Sequence, residues 1–224
     1  MRQPLPLFPL GSVLYPGLIL PLHIFEDRYR ALVRDLLALP DEAGRRFGVV
    51  CIRGGSEVGV GAATALHEVG CTAELTQVAP HPDGRFDIVT VGGRRFRISE
   101  LTDGRPYLTA HVEVLDEPDG DSGAVGAIVA GVQRTFRTYL ERLGAARGAA
   151  VEIPDLPADG LTLSYLVAAT MVLDLPDKQA LLAAPDTISR LTAEQRLLRR
   201  EAGLLAVLPT APAPDLARVT ASPN

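Results

Sequence analysis

A single lysine, Lys178, stands among 224 residues, and tryptophan is absent. The missing lysines exclude a phosphate-binding loop of the GxxxxGK[ST] type, which needs a lysine directly after its glycine-rich turn to reach the nucleotide phosphates. Lys178 itself follows Pro176 at a helix start with Asp177 beside it, a setting that favours its charged form over a nucleophilic one. Cysteine is scarce too. Cys51 and Cys71 lie in apolar, strand-like runs without a Cys-x-x-Cys spacing, so they read as buried, reduced thiols. Joining His67 to them gives no recognised ligand spacing, and no metal is expected. The histidines form no HExxH pair, no GxSxG elbow occurs, and Ser164 has no base near it in sequence, so no catalytic residue and no cofactor is expected.

Unbroken hydrophobic runs are missing as well. From Gln3 to Leu22 no side chain is charged, but proline at 4, 6, 9, 16 and 21 removes backbone donors and clashes inside a helix, which rules out a membrane span there. The start, Met1-Arg2-Gln3-Pro4, lacks a signal-peptide pattern, and the expected compartment is the cytoplasm. The net charge of −5 disfavours a phosphate backbone as partner, so nucleic-acid binding would need a local basic patch. The best candidate is Arg94, Arg95 and Arg97, which the alternation assigns to a solvated strand face.

What is present is an ordinary globular balance of 47% hydrophobic and 22% charged residues, enough apolar mass for a large core. Short extended pieces occupy the first 24 positions. Tyr29, Leu32, Val33 and Leu36 then recur at helical spacing within a helix predicted over Glu26 to Leu39, ended by Pro40. Strands follow over Phe47 to Ile52, Leu66 to Val78, Phe86 to Thr90, Arg94 to Ile98 and Tyr107 to Leu115. Arg53 to Thr64 reads as a loop, Pro82-Asp83-Gly84 as a turn and Gly92-Gly93 as another. The acidic run DEPDGDSG (Asp116 to Gly123) reads as a linker. Beyond it the period becomes helical: Val125 to Leu143 with Ser122 as N-cap and Gly144 past the end, about Leu161 to Leu173, a start at Pro176, and about Asp186 to Leu208. The expected fold is therefore α+β. An antiparallel β-barrel-like subdomain with one early helix (1–116) is followed by a linker (117–123), an α-helical subdomain (122–208) and a frayed tail (209–224).

The run LPLFPLGSVLYPG followed by LPLHIFEDRYRALVRD resembles the opening of the Lon protease amino-terminal domain, the LON substrate-binding domain. FGVV, EVGCTAEL, DGRFDIVTVGGRRFRI, PYLTAHVEVL and the helical tail KQALLAAPDTISRLTAEQRLLRREAGLL continue the likeness in order, across roughly residues 4 to 208. The resemblance implies a PUA-like pseudo-barrel followed by a helical bundle. It does not imply proteolysis, because the Ser–Lys dyad of the Lon peptidase lies outside the resembling domain.

The function expected on this basis is non-catalytic binding of unfolded or extended protein segments, delivered to a separate ATP-dependent protease or simply held. A partly open barrel would offer strand edges for such segments. The candidate peptide-binding residues are Phe8, Tyr15, His23, Phe25, Glu26, Arg28 and Tyr29. Two readings stand side by side. Phe8, Tyr15 and Phe25 serve as exposed anchors or as core plugs. Glu26 and Arg28 border a groove, or Glu26 suits the helix dipole while Arg28 or Arg30 pairs with a carboxylate. His23 precedes Glu26 by three and Asp27 by four, which places it for a histidine–carboxylate pair at the strand–helix junction. The rivals are a PUA-like binder of RNA or a modified nucleotide, and a hydrolase or small-ligand protein using the cleft between barrel and bundle.

Overall fold

The computed structural model describes residues 4–41, 44–55, 63–102, 104–119, 125–149 and 151–207. The element order is β1 (Leu5–Leu10), β2 (Ile19–Ile24), α1 (Asp27–Leu37), β3 (Arg46–Gly55), β4 (Ala63–Leu66), β5 (Val69–Pro80), β6 (Phe86–Thr102), β7 (Thr109–Val114), α2 (Val125–Ala146), α3 (Gly160–Thr170), α4 (Leu175–Leu182) and α5 (Thr187–Val207). The fold is α+β, with all seven strands in one largely antiparallel sheet.

The barrel is closed, where the sequence suggested a partly open one. Strand order runs β1-β7-β6-β5-β3, and β1 returns to pair in parallel with β3, from Leu7↔Gly48 to Leu10↔Cys51. Closure gives each of these five strands a neighbour on both sides over part of its length. β4 continues off β3, and β2 lies outside the ring against the first half of β6, from Ile19↔Val91 to Ile24↔Phe86.

β6 is one strand of 17 residues, with no turn at Gly92-Gly93. These glycines serve close approach instead. A Cβ on Gly92 would collide with the carbonyl oxygen of Tyr15, whose loop is held by Gly17 N donating to Gly92 O (2.7 Å) and Gly92 N donating to Leu18 O (2.8 Å). At Pro82-Asp83-Gly84 the expected turn is present, with Gly84 at φ +83°, a backbone region that favours glycine. β3 runs on to Gly55 and β4 begins at Ala63, so the expected loop is shorter; residues 56–62 and the N-cap expected at Ser122 lie outside the described residues. Gly144 sits inside α2 rather than past its end.

The helices follow their sequence signals. α1 buries Tyr29, Leu32, Val33 and Leu36, the spacing of one helical face. Asp159 caps α3 by accepting from Thr162 N (2.8 Å), Asp174 caps α4 from Asp177 N (3.0 Å), and Asp186 caps α5 from Ser189 N (2.6 Å). Each satisfies a backbone donor that a helix start leaves without an internal partner. α5 gains two further acceptors from the acidic segment, because Thr187 N and Ile188 N donate to the carbonyls of Pro118 and Asp119 (3.0 and 3.2 Å). One hydrophobic core runs through both halves, joining Phe8, Phe47 and Ile88 to Val132, Leu163 and Leu198. Leu7, Val50, Phe96 and Ala110 form a second, smaller cluster within the barrel.

Candidate functional site

The residues singled out by sequence fall into two groups. Phe8, Tyr15 and Tyr29 are buried. Phe8 stacks on Tyr29, with ring centroids 4.0 Å apart and planes 24° apart, and touches Phe47. Tyr15 reaches the helical half, where its hydroxyl donates to the backbone oxygen of Lys178 (2.8 Å). Phe8 and Tyr15 are thus placed as in the plug reading, and Tyr29 lies on the buried stripe of α1; Phe25, the third residue of that reading, is exposed.

His23, Phe25, Glu26 and Arg28 remain at the surface, where β2 hands over to α1. Strand alternation turns Leu20, Leu22 and Ile24 inward and Ile19, Pro21, His23 and Phe25 outward. Ile19 is 70% exposed and Phe25 52%, both high for large apolar side chains. Arg28 donates from Nε to Glu26 Oε2 (3.0 Å) and lies over the Tyr29 ring (4.5 Å to its centroid). The Arg28–carboxylate pairing is thus present. So is its neighbour: Arg30 donates to Asp27 Oδ1 (2.8 Å) and, from Nε, to the carbonyl of Gly84 (2.7 Å). Arg30 thereby ties α1 to the turn between β5 and β6.

His23 pairs with neither Glu26 nor Asp27. Its Nδ1 donates to Oδ1 of Asp87 (2.6 Å), its direct cross-strand neighbour on β6, while His81 Nε2 donates to Oδ2 of the same carboxylate (2.6 Å). The two imidazole hydrogen bonds hold the Asp87 carboxyl below its ordinary range. Phe25 lies against the His23 ring (6.2 Å, 25°). The sequence reading missed Asp87 and His81. A signal existed for that pair, because the Pro82-Asp83-Gly84 turn folds His81 back beside Asp87.

A second polar constellation sits where barrel meets bundle, and it corrects the reading of the arginines. Arg94 and Arg97 are exposed, but Arg95 is 1% exposed. Its Nε and NH2 donate to Glu117 Oε1 (2.6 Å) and Oε2 (3.0 Å), and its NH1 donates to the carbonyls of Leu182 (2.7 Å) and Ala184 (2.6 Å). Arg190, fully buried on α5, approaches Glu117 Oε2 (3.4 Å), donates to Ser164 Oγ (3.0 Å) and Leu181 O (3.1 Å), and lies over the Tyr165 ring. The Tyr165 hydroxyl donates to Glu117 Oε1 (2.7 Å). Burial alone would push the Glu117 carboxyl up; the hydrogen bonds from Arg95 and Tyr165 and the two guanidinium charges outweigh it and hold the carboxyl below its ordinary range. Gln179 adds a donor to Val69 O (2.9 Å).

One turn along α5, Glu194 is buried with no hydrogen-bond partner for either carboxylate oxygen among the described residues. Burial raises its carboxyl well above the usual range, against the lowering charge of Arg190. Ser164 and Cys71 have no exposed nucleophilic atom: the Ser164 hydroxyl is buried and donates to Leu161 O (2.8 Å), and burial pushes the Cys71 thiol up to about 12. No helix among the described residues is long and apolar enough to cross a membrane.

Residues 4–200 match the family model of the ATP-dependent protease La (LON) substrate-binding domain. Among curated relatives, Lon protease 2 of Myxococcus xanthus is 30% identical over 205 residues, covering 91% of this chain and 24% of that protein. Lon protease of Anaeromyxobacter dehalogenans is 30% identical over 203 residues, covering 90% of this chain and 24% of its own length. The chain therefore spans about a quarter of the length of these relatives. Among solved structures, the N-terminal domain of a Mycobacterium avium complex Lon protease superposes with a TM-score of 0.65 at 18% identity, covering 90% of this chain and 98% of that one. A Lon N-terminal domain protein from Xanthomonas campestris gives 0.57 at 24% identity, covering 88% and 98%. The chain belongs to the LON substrate-binding domain family, and its fold is that of Lon N-terminal domains.

Proposed function

We propose that this chain is a non-catalytic recognition module that binds extended, apolar protein segments along the outward face of β2 and the start of α1. The observation that carries the reading is the exposure of Ile19 (70%) on β2 and of Phe25 (52%) just past its end, beside a strand that among the described residues pairs only with β6. Because each strand of the barrel proper has two neighbours, β2, with one, offers an edge to an added strand. Pro21 within it contributes no N–H donor, so main-chain pairing there is incomplete and side-chain contacts carry more of the affinity.

Ile19 and Phe25 lie six residues apart, about 20 Å at strand rise, a spacing that suits an extended segment rather than a compact ligand. The ion pair of Glu26 and Arg28 borders one end and offers a polar rim. Phe8, Tyr15 and Tyr29 act from beneath by fixing the strand and helix that present the surface. The family supports substrate recognition as the role. The buried Ser164 and Cys71 support the non-catalytic part, and Arg95, withdrawn into the junction, weakens the basic patch an RNA-binding reading would need. Delivery of bound segments to a separate ATP-dependent protease completes the proposal.

The test is a titration of unstructured apolar peptides and a permanently unfolded model protein, followed by fluorescence anisotropy. Saturable binding that a folded, polar control protein does not compete supports the reading. Absence of saturation at tens of micromolar removes it.

A further inference from the structure

His23, His81 and Asp87 converge on the outer wall of the barrel, with one ligand atom from each within 4.8 Å of the other two. They come from β2, the β5–β6 turn and β6, and the backbone sets all three. His23 and Asp87 face each other across the β2–β6 ladder. His81 N donates to Arg85 O (2.8 Å) and Gly84 N to His81 O (2.9 Å), closing the turn that Arg30 of α1 holds from the side. Phe25 covers the flank of His23 (6.2 Å between centroids), giving the cluster one apolar wall.

We propose that this cluster is a binding site for a divalent transition-metal cation of the zinc class, held by His23 Nδ1, His81 Nε2 and the Asp87 carboxylate, with water completing the coordination. Two imidazoles and one carboxylate form a donor set that suits zinc, nickel or copper, whereas magnesium and calcium require shells of oxygen. With bonds of about 2.0–2.1 Å, a tetrahedral ion needs its ligand atoms roughly 3.4 Å apart. The two nitrogen–oxygen separations of 2.6 Å must therefore open by under an ångström or so, and any wider gap within the 4.8 Å limit must contract. The side chains are 36–53% exposed, so side-chain rotation alone accomplishes this.

Binding leaves the same atom of each ring facing the centre and changes where that ring carries its proton. His23 Nδ1 and His81 Nε2 now donate N–H to Asp87; as ligands they present lone pairs, and each neutral ring carries its proton on the opposite nitrogen. For His23 that nitrogen is Nε2, which lies 3.3 Å from Arg85 NH1. A donor would then face a donor. Arg85 must withdraw toward Asp83, to which its Nε already donates (2.7 Å). Arg85 is thus a built-in competitor of the metal, by charge and by hydrogen bonding.

The experiment uses the full chain, untagged and stripped with chelator, titrated with Zn²⁺ by calorimetry and with Co²⁺ by visible absorption. Saturation at one ion per chain, undisturbed by excess Mg²⁺ or Ca²⁺, is expected. His23→Gln, His81→Gln and Asp87→Asn, each checked for native circular dichroism, weaken binding by more than about 100-fold; His67→Gln and His111→Gln leave it unchanged. Arg85→Gln binds Zn²⁺ several-fold more tightly than the unaltered chain. No saturable Zn²⁺ uptake, uptake that survives the three ligand substitutions, or an Arg85→Gln variant that binds no tighter overturns the site. Peptide binding plays no part in any of these readouts.

Discussion

Arg95 on β6 and Glu117 in the acidic segment after β7 form a two-point ion pair, Nε to Oε1 at 2.6 Å and NH2 to Oε2 at 3.0 Å, beneath the start of the helical half. Arg190 and Tyr165 reach the same carboxylate from α5 and α3. One side chain in the connecting segment is therefore bonded to a barrel strand and to two helices at once. The acidic run that reads as a linker acts as a rivet.

Glu117→Gln leaves two buried guanidiniums facing a neutral amide. Removing one partner of such a pair costs about 3–5 kcal/mol, and urea unfolding is expected to show a loss at the lower end, because Glu117 keeps 23% of its side chain exposed. The pH dependence has a definite sign. The carboxyl is depressed in the folded state, so its stabilisation is complete above the unfolded value of about 4.5 and is lost as pH falls through the folded value. Unfolding free energy measured from pH 6 down to pH 3 should drop in the unaltered chain and drop less in Glu117→Gln. Parallel curves would falsify the rivet.

Glu194 has the opposite sign. Its carboxyl is raised in the folded state by burial, so the contribution of Glu194 to stability is complete below about pH 4.5 and is lost as pH climbs toward the folded value. Glutamine matches the protonated acid in shape and cannot ionise. Glu194→Gln is thus expected to unfold at a higher temperature than the unaltered chain at pH 8, with the difference vanishing near pH 4. A gain of the same size at both pH values would place the effect in packing instead.

Gly92 should not tolerate alanine. The added methyl meets the Tyr15 carbonyl, and that backbone is held by hydrogen bonds on both sides of the approach. A loss of about 1–3 kcal/mol in chemical denaturation is expected. Gly203→Ala is the contrast, since a methyl there meets nothing within 4 Å on an exposed face of α5 and should gain about 0.5–1 kcal/mol from helix propensity. Equal behaviour of the two variants would contradict the close approach.

That pair of glycines also shows what the linear sequence conveys and what it withholds. Gly84 was legible because the reason for it is local: a proline, an aspartate and a positive φ within one turn. Gly92 was not, since its reason is the carbonyl of Tyr15, far off in sequence. The stripe of Tyr29, Leu32, Val33 and Leu36 was legible for the same local cause, one helical period against one core. Arg95 was misread because alternation distinguishes two faces of a strand without saying what covers each. Its cover comes from residues 22 and about 90 positions later. At the candidate surface, Phe25 looks like Phe8 in composition and context, and only closure of the barrel separates the buried ring from the exposed one.

That separation decides how the binding surface should be probed. Phe8 is buried against Tyr29 and Phe47, so Phe8→Ala costs about 3–5 kcal/mol and any binding defect it produces reports unfolding. Phe25 and Ile19 stand largely in solvent, and replacing exposed side chains shifts stability by about 0.5 kcal/mol or less. The double variant Ile19→Ala/Phe25→Ala should therefore melt with the unaltered chain yet bind unstructured apolar peptides at least about 10-fold more weakly, the loss expected when two anchors of an interface go together. His23 stays in place in this variant, so its contact with Asp87 across the β2–β6 ladder is retained while peptide affinity falls. Unchanged peptide affinity in a chain with native melting would move the recognition surface off β2, and β4, which among the described residues pairs only with β3, would become the next place to look.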